Sequence, residues 1–125
     1  MQKRYDWAWL RDKLRLRWSQ ETLDVFQDNE ERFKLDSARG FTLDLTARLA
    51  FRGERTLASF DEIESFVLEV HENHDVGDTF RLMLGRVGKC DIFIGDTKDQ
   101  LNCSRLAARM STLTGKPVVA RQGIV

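Results

Sequence analysis

The chain has 125 residues, 42% hydrophobic and 32% charged, with 20 basic residues balanced by 20 acidic ones. That length supports a single domain with a core of its own, needing no disulfide or metal staple. No apolar run approaches the roughly 20 residues that span a bilayer, and the N-terminus lacks the apolar stretch of a signal peptide, so a cytoplasmic location is expected. Cys90 and Cys103 are too few for a secreted disulfide framework and lack C-x-x-C spacing, which reads as two half-buried thiols in a reducing compartment.

The zero net charge hides an asymmetry. Residues 1–18 carry six basic and two acidic side chains, a net of +4, which leaves −4 on residues 19–125. Within 5–18, Trp7, Leu10, Leu14 and Trp18 share one face at helical spacing, predicting an N-terminal amphipathic helix. Its tryptophans interleave with cations: Lys3, Arg4, Trp7, Trp9, Arg11, Lys13, Arg15, Arg17 and Trp18 form the first candidate contact set. Indoles with basic neighbours suit an anionic membrane interface, stacking on single-stranded nucleic acid, or a partner's groove. Trp7, Leu10, Leu14 and Trp18 equally fit an ordinary core face. The chain divides accordingly into a basic segment, 1–18, and a folded domain, 19–125.

A short strand is predicted within Thr22–Phe26, and Phe33 and Leu35 lead through Ser37-Ala38-Arg39-Gly40 into a hairpin. Phe41 to Phe51 then alternates without a break, apolar against polar, and reads as one long strand. On that strand Arg48 and Arg52 would point the same way, so Arg48, Arg52 and Arg55 form a second candidate basic patch. Arg52-Gly53-Glu54-Arg55 is the next turn. Ser59 to Val70 fits either helix or strand: Ser59-x-x-Glu62 has the form of a capping box, with Phe60, Ile63, Val67 and Val70 at helical spacing, while Phe66, Leu68 and Val70 alternate. The β-branched and aromatic content favours a turn and then a strand. Phe80, Leu82 and Leu84 alternate next, followed by a turn and Cys90, Ile92 and Ile94. The cleanest helix comes last. Thr97-x-x-Gln100 resembles a capping box, Cys103, Leu106, Ala107, Met110 and Leu113 make one apolar face, and Gly115 with Pro117 ends it.

The hairpin Phe33–Phe51, the segment Ser59–Phe66, and a late helix followed by Thr114-Gly115-Lys116-Pro117 together resemble bacterial pleckstrin-homology-like domains, over roughly residues 20–121. The resemblance implies a single α+β domain, an antiparallel barrel or sandwich of about seven strands whose C-terminal helix caps one open end. It does not extend to phosphoinositide binding. That site uses a lysine and an Arg-x-Arg pair at the first hairpin, and Lys34 and Arg39 are followed here by Gly40, Phe41 and Thr42.

Sites of catalysis are not evident. His71, His74, Asp75 and Asp78 have metal-ligand side chains but not the H-E-x-x-H spacing, and read as a solvated loop. Gly85 to Cys90 lacks the spacing and the hydroxyl of a phosphate loop, and Thr114-Gly115-Lys116 closes a helix instead of opening one. No catalytic residue, metal or cofactor is assigned. The expected role is a non-catalytic interaction module recruiting a protein partner or an anionic membrane surface, with nucleic-acid binding through the N-terminal segment as the alternative, disfavoured by the acidic body.

Overall fold

The structure, a computed structural model, describes residues 22–36 and 39–123. The predicted N-terminal helix, the 1–18 segment and the nine contact residues assigned to it lie outside the described residues. Five short strands come first: β1 (Val25–Asp28), β2 (Arg32–Leu35), β3 (Phe41–Asp44), β4 (Leu49–Arg52) and β5 (Arg55–Ser59). They form an antiparallel meander in sequence order. A 3-10 turn, Phe60–Glu62, leads into β6 (Ile63–His71), β7 (Thr79–Arg86) and β8 (Lys89–Thr97), then helix α1 (Gln100–Thr114) and β9 (Val118–Gln122). The second sheet has the order β8-β7-β6-β9, with β9 parallel to β6. The described residues make nine strands in two sheets, consistent with the sandwich alternative of the expected barrel or sandwich; the barrel is not closed, and the strands number nine against about seven expected. The extra strand after the helix is the main topological departure.

The long strand expected over Phe41–Phe51 is two strands of a hairpin. The Asp44 carboxylate accepts hydrogen bonds from the amides of Thr46 (3.1 Å) and Ala47 (2.9 Å), and Arg48 takes a left-handed conformation at φ 58°. An aspartate that satisfies the amides two and three residues on holds a turn that apolar periodicity alone does not reveal. The turn also inverts the pattern. Directly opposed residues of an antiparallel pair share a face, and the pairs are Phe41↔Arg52, Thr42↔Phe51, Leu43↔Ala50 and Asp44↔Leu49. Ala50, expected on the wet side, is fully buried beside Leu43, whereas Phe51 sits half-buried on the outer face.

The ambiguous segment resolves as a turn followed by a strand. Ser59 and Glu62 form a true capping box, with the Ser59 amide donating to Glu62 Oε1 (2.9 Å) and the Glu62 amide to Ser59 Oγ (3.3 Å), and β6 begins at Ile63. At α1 the cap is Asp99, whose side chain accepts from the Asn102 amide (3.1 Å). Thr97, expected in that role, lies two residues earlier, where its hydroxyl accepts from the Asp99 amide (3.0 Å). Gly115 ends the helix at φ 76°, a conformation that costs glycine little. Cys103, Leu106, Ala107 and Met110 are buried from the helix as expected, and Cys90 is exposed.

One hydrophobic cluster joins both sheets and the helix, built on Phe33, Phe41, Phe60, Phe66, Leu82 and Leu84 with Met110. Each such side chain stabilises the fold by about 1.5–3 kcal/mol when fully buried. Two polar ties lock β1 and the residues just before it to α1. The Leu23 amide donates to Asn102 Oδ1 (2.7 Å), Asn102 Nδ2 returns a bond to the Leu23 carbonyl (3.0 Å), and Arg109 grips Asp28 through two 2.9 Å bonds. Asn102→Ala leaves both backbone groups of buried Leu23 unpaired, so it should cost about 1–3 kcal/mol in urea unfolding. Arg109→Ala, at a solvent-exposed ion pair, should shift the urea midpoint much less than Asn102→Ala does.

Candidate functional site

Two hairpins of the first sheet end side by side. The β2–β3 connection carries Arg39, held at φ 56°, and Gly40; the β4–β5 connection is the two-residue turn Gly53-Glu54, so Arg52 and Arg55 stand opposite each other across the ladder. Phe41, next to Gly40, is itself paired with Arg52, which brings the two loops together. Lys34 also reaches this end: its Cε lies 3.6 Å from where a side chain on Gly40 would begin.

Arg52 is the anchor of the group. Because β4 is inverted, its side chain follows the inner face, as Phe41 and Ala50 do, and crosses to the second sheet. One terminal nitrogen donates to the carbonyls of Phe93 and Ile94, the latter at 3.3 Å. Its Nε–H is buried and has no hydrogen-bond partner among the described residues. Burial first, then the neighbouring cations Arg39 and Arg55, push its pKa below the ordinary guanidinium value. None of Arg39, Arg52 and Arg55 joins an ion pair among the described residues. Three like charges at one end, none in an ion pair among the described residues, attract an anion through their exposed members, Arg39 and Arg55.

The second candidate patch is thus only partly assembled. Arg52 and Arg55 face each other, but Arg48 sits in the β3–β4 turn at the opposite end of β4. There it lies over the Phe60 ring (5.2 Å) and 3.8 Å from Asp61. Both partners of that ion pair are well exposed, so it adds little stability. Sequence reasoning set Lys34 and Arg39 aside for want of a second arginine; the structure supplies two from the next hairpin. The signal was present in Arg52-Gly53-Glu54-Arg55, since a two-residue turn places its flanking residues opposite each other.

Along the outer face from this rim run two adjoining hollows. One, of about 420 Å³, has Phe26, Lys34, Asp36, Arg39, Thr42 and Gly53 among its walls. The other, of about 340 Å³, extends over Gln27, Arg32, Asp44 and Phe51. Phe26 is an exposed phenylalanine, 65% accessible, with the Lys34 ammonium 5.4 Å from its ring.

The histidine segment goes to a different place. His71 closes β6 with Nε2 2.5 Å from Glu69 Oε1, and its ring lies against the backbone of Gly123. Arg121 of β9 donates to Glu69 (2.7 Å) and to Asp91 of β8 (2.8 Å), strapping the outer face of the second sheet. His74, Asp75 and Asp78 are exposed in the following loop, and the described residues contain no group of three or more metal-ligand side chains. No helix among the described residues is long and apolar enough to cross a membrane. Comparisons with protein-family models, with curated proteins and with solved structures each returned no match.

The strap has a pH signature. Hydrogen bonding from Arg121, and then from His71, holds the Glu69 carboxyl below its ordinary value despite partial burial. A depressed folded-state pKa contributes stability above the unfolded carboxylate value of about 4.3 and loses it as pH falls further. The melting temperature should therefore drop as pH is lowered through about 4, and Glu69→Gln should flatten that part of the profile while lowering stability at neutral pH. A profile unchanged by the substitution would remove Glu69 from the account.

Proposed function

We propose that this chain is a non-catalytic interaction module that recruits an anionic partner, a membrane surface or an acidic region of a protein, through the cationic end formed by Lys34, Arg39, Arg52 and Arg55. The observation that carries the reading is the convergence of Arg39, Arg52 and Arg55 from two hairpins, none of them in an ion pair among the described residues. Holding such a cluster together costs electrostatic energy that a bound anion returns. The meander followed by a helix supports the pleckstrin-homology-like resemblance as a frame for this role, while the open sheets and parallel β9 depart from it. Residues 1–18, with six cations and three tryptophans, would add a second attachment to an anionic surface.

Co-sedimentation with phosphatidylglycerol vesicles, at low and physiological salt, tests the membrane form of this reading. Binding should weaken with salt and fall by about tenfold or more in the double variant Arg39→Glu/Arg55→Glu, given two lost charge-assisted contacts. Both residues are exposed, so the fold should survive. Removal of residues 1–18 provides a second arm: if that alone abolishes binding and the double variant binds normally, the hairpin end is not the attachment site.

A further inference from the structure

We infer that the outer face of the second sheet is a docking surface, and that its occupant is this chain's own segment 1–18. The inference concerns a different sheet from the cationic end and does not rest on the anion-recruiting reading. Register places Phe93 of β8 opposite Met83 of β7, Met83 opposite Val67 of β6, and Val67 opposite Val119 of β9. Directly paired residues share a face, so these four side chains make one apolar row across all four strands. None of them belongs to the core cluster, whereas Phe66, Leu68, Leu82, Leu84 and Ile94, from the other face, do. The first sheet and α1 meet the second sheet through that cluster, so both sit on its inner face, and no described element remains to cover the outer row.

Length, position and charge single out segment 1–18. The row crosses three inter-strand gaps, about 14 Å. In the helix predicted over 5–18, the apolar stripe from Trp7 to Trp18 runs about 16 Å at the helical rise per residue, so stripe and row match in length. The chain also enters the fold beside this sheet. Thr22 lines a hollow with Lys98 and Asp99, just past the end of β8, and Leu23 is tied to Asn102. Phe93, the near end of the row, lies on β8 about 13 Å back from Thr97. Residues 19–21 span up to about 10 Å, and an indole adds its own length, so Trp18 can meet Phe93 around the β8 edge of the sheet. Segment 1–18 carries a net +4 and the rest of the chain −4. On the outer face Glu69, Asp91 and Asp96 outnumber Arg81 and Arg121. Arg11 and Arg15, four and eight residues on from Trp7, border the stripe and can meet those carboxylates.

All three tryptophans of the chain lie in residues 1–18, so tryptophan fluorescence of the full chain reads this segment and nothing else. In buffer, emission should be blue-shifted and shielded from acrylamide relative to the chain unfolded in urea. Phe93→Lys and Val119→Lys, both at exposed positions, should each move emission and quenching toward the urea values. Leu101→Lys, at an exposed leucine beside Thr22 and outside the sheet, should change neither. Methyl proton NMR separates release of the segment from unfolding, and Val119→Lys carries the test if Phe93→Lys does not fold. Emission as red in buffer as in urea would overturn the docking altogether. A blue-shifted emission unmoved by Phe93→Lys and Val119→Lys, or moved by Leu101→Lys in their place, would overturn the assignment to this face. A blue shift lost on dilution would overturn the choice of occupant, because the segment would then come from a second copy.

Discussion

The aspartate-held turn after β3 decides how the first sheet is dressed. Asp44 binds two amides of its own turn, the chain reverses over four residues, and the face assignment of every later residue in β4 is exchanged. Ala50 becomes core, Phe51 is released outward, and Arg52 is sent between the sheets. A turn one residue longer or shorter would shift parity and return Arg52 to solvent, because strand side chains alternate with a period of two. The cationic end, the outer-face hollows and the tie between the sheets all descend from that reversal.

Arg52 plays two parts that pull in opposite directions. As a strut it donates to carbonyls of β8, so the two sheets are joined by a charged side chain as well as by packing. As a charge it is partly desolvated beside two like charges, which favours losing the proton it carries. A lysine in its place would hold one carbonyl with less geometric control and surrender its proton more readily. A guanidinium keeps its charge under such conditions, and that makes it the suitable group for an attractive centre built into a structural position.

Much of the architecture can be read locally. The apolar stripe Cys103, Leu106, Ala107, Met110 has the period of a helix and is buried as that period requires. The Ser59–Glu62 box and the β-branched run after it are likewise visible from side-chain chemistry within a few residues. The failures share a different cause. Arg48 adopts a left-handed backbone that its identity does not announce, so an uninterrupted alternation concealed a turn. β9 is short, exposed along its whole length and defined only by its distant partner β6, so nothing within Val118–Gln122 marks it as a strand of the sheet. The cationic end depends on two hairpins lying next to each other, which is a property of register rather than of any motif. Its individual arginines were legible; their assembly was not.

The parallel strand also bears on the order of folding. Every other pairing among the described residues joins neighbours along the chain and closes through a short connection, whereas β6 and β9 meet only after β7, β8 and α1 have been made. Such a crossover carries a greater loop-closure cost than a hairpin and tends to be completed late. Until it forms, one side of β6 is an unpaired edge next to Phe66, Val67 and Leu68, the kind of surface through which partly folded chains associate. On a ribosome, the second sheet has to wait for its last strand to emerge. The Glu69–Arg121–Asp91 strap then acts on the unfolding rate, since contacts made after the barrier slow the escape from the native state more than they hasten its formation.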